Sequence, residues 1–133
     1  AGIEAMRHLK DEGVHVTATA IYSKTQGFLA IATGVDYLAP YYNRMQALDI
    51  DTKGTLHALS GFIQRFDAPS KIMAASFKNI VQVSHALEAG ADAVTLSPKL
   101  LRQALSVPDI THAVDVFIED WESVYGTRTL PED

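Results

Sequence analysis

VHVTATAI, residues 14–21, interleaves valine and threonine with alanine and closes on isoleucine, so it reads as a β-strand. Its alternate positions are small or hydroxylated, whereas a parallel strand buried on both faces is a near-continuous run of Val and Ile. A lining of this kind suits the inner wall of a barrel. Three further runs share the character: VDYLAPYY at 35–42, KIMAASF at 71–77 and ADAVTL at 91–96.

Helical periodicity fills the intervals. The chain opens in helical rhythm, with Ile3, Met6 and Leu9 on one stripe, and Glu12-Gly13 ends that helix. There is no initiator methionine or leader, so the start reads as lying inside a longer protein. Ser23 followed by Gln26 is a capping-box signature, and the spacing predicts a helix that buries Phe28, Leu29 and Ile31 before Gly34. A long helix is expected from Thr52 to Phe66, with Leu56, Leu59, Ile63 and Phe66 on its buried face. Another runs from Ile80 to Ala89, closed by Gly90; Ser97-Pro98 starts a third, and Pro108-Asp109 restarts the chain. Val114, Phe117, Ile118, Trp121 and Val124 stripe the last helix, which Gly126 ends, leaving a polar tail to Asp133.

Strands separated by helices imply parallel pairing through right-handed crossovers. With 133 residues the chain is one domain, 1–133. Length favours an open doubly wound sheet, since a (β/α)8 barrel needs roughly 200 to 250 residues, while the Thr/Ala lining favours the barrel. At 47% apolar and 20% charged the composition is globular. A net charge of −5 gives no support for a nucleic-acid partner, and no apolar run is long enough for a membrane span. The chain has no cysteine, which excludes disulfides and thiol chemistry and fits a reducing, cytoplasmic setting.

In both architectures the working groups stand at the carboxyl ends of the strands. Those ends carry Thr19 and Tyr22, then Tyr41, Tyr42, Asn43 and Arg44, then Ser76 and Lys78, then Thr95 and Ser97. An arginine with hydroxyls near a helix start can cradle phosphate, and a phenol can give or take a proton. Each has a plainer reading: Arg44 as a surface charge, Tyr41 and Tyr42 as packing rings with a wet tip, Thr19 and Ser76 as small polar lining, Lys78 as a solvated cation. The histidines at 8, 15, 57, 85 and 112 lack ligand spacing, so no metal is expected. No Gly-rich phosphate loop or nucleophile elbow is present, and the strand ends lack the paired carboxylates of a receiver domain.

The stretches GVHVTATAIYSKTQG, GVDYLAPYYNR, KIMAASFKN and GADAVTLS, with FIEDWESVYGT near the end, resemble the transaldolase-like class I aldolases, closest to the fructose-6-phosphate aldolase subgroup. The resemblance runs through nearly the whole chain. It implies an α/β fold that is the second half, about four βα units, of a TIM (β/α)8 barrel plus a C-terminal helix. It implies carbon–carbon cleavage or transfer on phosphorylated ketoses through a lysine Schiff base, without a cofactor or metal. On that pattern Tyr41 is the catalytic tyrosine that moves a proton through a water, Thr19 helps hold the water, and Arg44 and Ser76 bind the substrate phosphate. Transaldolases proper carry phenylalanine where Tyr41 stands, so the resemblance leans toward the aldolases. It also places the Schiff-base lysine on a strand upstream of Ala1, which leaves Lys78 as the one lysine after a strand near the site. Four strands cannot close a barrel, so a homo-oligomer, or association with the missing half, is expected. A non-catalytic half-barrel that binds sugar phosphates or serves assembly is the alternative, with an independent open-sheet domain third.

Overall fold

A computed structural model of the chain describes residues 1–106, 108–127 and 129. The expected tail lies largely outside the described residues. The chain forms two compact units, Ala1–Ser97 and Pro98 onward. The first holds α1 (Gly2–Asp11), β1 (Thr17–Ile21), α2 (Lys24–Ala32), β2 (Tyr37–Pro40), α3 (Tyr42–Ala47), α4 (Thr52–Arg65), β3 (Lys71–Ala74), α5 (Ile80–Glu88) and β4 (Ala93–Val94). The second holds α6 (Pro98–Leu105) and α7 (Pro108–Tyr125).

The four strands are parallel and stand in the order β1-β2-β3-β4. A doubly wound sheet reverses its strand order at a switch point; this one does not, which is the barrel pattern. Consecutive right-handed crossovers put successive helices on one side, and α1 packs on α2, α2 on α4, and α4 on α5. The sheet therefore has one covered and one open face. Ala18, Leu38 and Ile72 form a rung of the covered face, and all three are buried. Thr17, Tyr37 and Lys71 form the neighbouring rung on the open face, where Thr17 and Lys71 are exposed. This uneven burial explains the Thr/Ala alternation that marked VHVTATAI.

Aspartates close the amino ends of the strands. Asp36 Oδ2 accepts from Val16 N at 2.7 Å, and its own N–H donates to Val16 O at 3.0 Å. Asp92 repeats this with Ile72, at 2.7 and 2.9 Å. Each aspartate stands two residues after a glycine of positive φ, Gly34 at 76° and Gly90 at 99°, the left-handed residue that lets the preceding helix stop. Because Val16 N–H bonds a side chain, β1 begins at Thr17 and not at Val14.

Other expectations also need correction: β3 ends at Ala74, short of Phe77, and β4 keeps Ala93–Val94 of the expected 91–96. Leu29 is 47% exposed, and Gly27, Ala30 and Ile31 make the buried face of α2. Phe66 lies past the end of α4 and is 61% exposed. The strand expected through Tyr42 ends at Pro40; Tyr41 makes one bridge to Ala75, and Tyr42 starts the short α3, a helix absent from the sequence reading.

Candidate active site at the carboxyl rim

Thr19 lies within β1, Tyr41 just past β2, Arg44 in α3 and Ser76 just past β3, toward the carboxyl side of neighbouring strands. The Thr19 hydroxyl donates to the Tyr41 hydroxyl at 3.2 Å. The guanidinium carbon of Arg44 sits 5.0 Å above the centre of the Tyr41 ring, a cation–π arrangement. The Tyr22 ring meets that of Tyr41 edge-on with centroids 5.8 Å apart, and Tyr22 OH accepts a long 3.4 Å bond from Arg44 Nη1. That bond, with the nearby Tyr22 and Tyr41 oxygens, raises the guanidinium pKa above its ordinary value. Two of the four expected residues, Thr19 and Arg44, thus contact a third, Tyr41. Ser76 reaches the group through its backbone: Asn43 N donates to Ser76 O at 2.9 Å, and Tyr42 N donates to Ala75 O at 2.8 Å.

Local sequence makes this rim. Ala20 and Ser76 are non-glycine residues with φ of 57° and 66°, one near the end of β1 and one just past β3. Left-handed backbone at such residues costs of order 1 kcal/mol and collects at functional rims. Ala20 also coincides with a register shift between β1 and β2, which brings Ile21 opposite Pro40. Past each strained residue comes the same cap. Ser23 Oγ accepts from Gln26 N at 3.2 Å, while Gln26 Oε1 accepts from Tyr22 N at 2.9 Å. Asn79 Oδ1 accepts from Gln82 N at 2.9 Å, while Gln82 Oε1 accepts from Lys78 N at 2.7 Å. The second cap is missing from the sequence analysis, although its N-x-x-Q spacing matches the S-x-x-Q at Ser23. From sequence Tyr22 is a strand-end residue without a role, and only the fold brings it onto Arg44.

A cavity of about 440 Å³ opens beside Arg44, lined by Tyr22, Asn43, Arg44, Ala47 and Leu48. A larger groove of about 500 Å³ runs along the free edge of β1, between α1 and α2, with Ile3, Met6, Thr17, Thr19, Ile21 and Leu29 in its walls. Lys78, on the same rim, is exposed. Among the described residues no three His, Asp or Glu side chains gather as a metal site, and no helix is long and apolar enough to cross a membrane.

A consecutive parallel sheet with helices on one face and polar groups at its carboxyl rim defines half of a (β/α)8 barrel. The chain matches the transaldolase/fructose-6-phosphate aldolase family over residues 1–127 and belongs to it. It is 51% identical over 130 residues to a probable fructose-6-phosphate aldolase of Streptococcus pneumoniae (strain ATCC 700669 / Spain 23F-1), a match that covers 98% of this chain and 59% of that protein. The chain therefore spans about three fifths of that relative's length. Crystal structures of GMP reductase C318A from Trypanosoma brucei, with and without guanosine 5'-monophosphate, share the fold at a TM-score of 0.56 and 22% identity. These matches cover 74% of this chain and 23% and 25% of those chains respectively.

Proposed function

We propose that this chain supplies the phosphate-binding and proton-transfer side of an aldolase acting on a phosphorylated ketose, with the imine-forming amine carried by residues outside it. The observation that carries the reading is the Thr19–Tyr41 hydroxyl pair at 3.2 Å, beneath the Arg44 guanidinium at the carboxyl rim. The deprotonated oxygen of Tyr41 would take the proton from the substrate hydroxyl, through a water, as the carbon–carbon bond breaks, with the bonding electrons passing into the iminium to leave an enamine and a neutral phenol. Its phenol would return a proton in the reverse direction. Thr19 would orient the phenol, and Arg44 with Ser76 would hold the phosphate.

The strands themselves offer no amine at this level of the sheet, and Lys78 on the rim is exposed. Lys71 is the one lysine in the described strands, and it lies about 13 Å down β3 from Ala75, the bridge partner of Tyr41. A strand seated in the groove along β1 would face Thr19 and could bring the amine. For the chain by itself, the missing amine favours sugar-phosphate binding without turnover. The acidic, cysteine-free composition suits a cytoplasmic enzyme, and the two free strand edges suit association with a complementary half or further copies.

The test is imine trapping. Fructose 6-phosphate and borohydride are added to this chain alone, and to this chain joined to the portion of the pneumococcal relative that it does not cover. Intact and peptide masses are then read. The expected result is an unshifted mass for the chain alone and, in the joined protein, an adduct on a lysine of the added portion. An adduct on Lys78, or none in either protein, would refute the proposal.

A further inference from the structure

We infer that Gln82 is a positioning residue of the phosphate cradle, because its buried side-chain amide clamps the residue before Arg44 to the loop that carries Ser76. The inference rests on the sugar-phosphate reading above.

Gln82 is the third residue of α5 and is 7% exposed, unusual for a glutamine near a surface rim. Its amide is used in three directions. Oε1 accepts from Lys78 N at 2.7 Å, and Nε2 donates to Asn43 Oδ1 at 3.0 Å and to Gln46 Oε1 at 2.7 Å. The backbone donor at Lys78 fixes which end of the amide is oxygen, so Nε2 has to face α3, and Asn43 and Gln46 have to present oxygens to it. Both amide hydrogens are thereby committed to α3.

The connected groups are those the cradle depends on. Lys78 is two residues beyond Ser76, and Asn43 immediately precedes Arg44. Asn43 N also donates to Ser76 O at 2.9 Å, so Asn43 is gripped on its backbone by the Ser76 loop and on its side chain by Gln82. Ser76 has a positive φ of 66°, which this closed circuit of hydrogen bonds helps to hold. The equivalent Gln26 shows that the contact to α3 is an added feature. Its Oε1 caps Tyr22 N in the same way, yet Gln26 is exposed and lines the open groove along β1. Capping the helix accounts for the oxygen of Gln82; it does not account for an amino group buried against a neighbouring helix.

The experiment measures binding of inorganic phosphate, and separately of glyceraldehyde 3-phosphate, to the 133-residue chain by amide chemical-shift titration. Thermal unfolding is recorded for every variant. Arg44→Ala tests the reading on which the inference rests, and Gln82→Met removes the clamp while keeping side-chain length. Asn43→Ala cuts it from the other side, in case Gln82→Met does not fold. The expected result is that Gln82→Met or Asn43→Ala, in folded protein, weakens phosphate binding about ten-fold or more, as misplacement of a positioned group does. The phosphate response of the Lys78 amide should be lost as well. Wild-type affinity in the folded clamp variants, with affinity lost in Arg44→Ala, overturns the inference and leaves the sugar-phosphate reading intact. No binding by the unaltered chain, or unchanged binding by Arg44→Ala, overturns that reading itself and the inference with it.

Discussion

Tyr41 and Tyr42 are adjacent and chemically identical, yet the fold gives them opposite surroundings. Tyr41 is half-buried with its hydroxyl on Thr19, and Tyr42 is fully buried, stacked on Phe77 with centroids 5.7 Å apart. The Tyr42 hydroxyl has no hydrogen-bond partner among the described residues, and burial raises its pKa. An unsatisfied buried hydroxyl costs about 1–3 kcal/mol. Tyr42→Phe should therefore leave stability unchanged or raise it by up to about 1 kcal/mol, as read by urea unfolding; a loss of 2 kcal/mol or more would mean that the hydroxyl has a partner. Tyr41→Phe keeps the ring beneath Arg44 but removes the phenol. In the joined protein it should lower kcat for ketose-phosphate cleavage by about a hundred-fold or more, with KM little changed. Nothing in the pair YY says which ring turns inward. That is settled by α3, which begins at Tyr42, and a six-residue helix leaves too little periodicity to be read from sequence.

Among the elements, α2 and α4 approach closely because Gly27 faces Leu59. A Cβ at Gly27 would run into the Leu59 methyls, and Leu59 is fully buried. Alanine is the better helix former by about 1 kcal/mol, but overpacking costs about 1–3 kcal/mol. Gly27→Ala should therefore be neutral to destabilising by about 2 kcal/mol in denaturant melts, and a clear gain in stability would contradict the packing. At the opposite end of the sheet, Asp36 holds β1 in place. Its carboxylate takes the Val16 N–H, then Lys10 and His15, and in that order these hold its pKa well below the usual carboxylate range. A lowered folded-state pKa adds stability that is complete above roughly pH 4 and is lost progressively as the pH falls below that. The stability gap between wild type and Asp36→Ala, followed by urea unfolding from pH 7 to pH 2.5, should be widest at neutral pH and narrow steadily below about pH 4 without closing by pH 2.5. A gap that does not depend on pH would mean that the charge has no part in it. The strand–helix alternation was legible because Gly34, Gly90 and the Ser23 cap punctuate it chemically. The start of β1 was not, since a side chain 20 residues away replaces a strand neighbour at Val16.

The sheet of the first unit ends in two edge strands, β1 and β4, each paired on one side alone among the described residues, with threonines, a tyrosine and a lysine on its open face. The Thr/Ala lining carried that information in the sequence, while length alone pointed to an open sheet. The consecutive strand order and the family settle the matter in favour of half a barrel. What the sequence could not supply was the convergence of Thr19, Tyr41 and Arg44, which depends on parallel register between strands separated by whole helices. That convergence is most directly tested by mapping amide shifts of the isotope-labelled chain during titration with glyceraldehyde 3-phosphate. Perturbations should cluster at residues 19–22, 41–44 and 76–78 along the carboxyl rim. Perturbations gathered instead at residues 15–17, 36–37 and 70–72, at the amino ends of the same strands, would contradict a rim site.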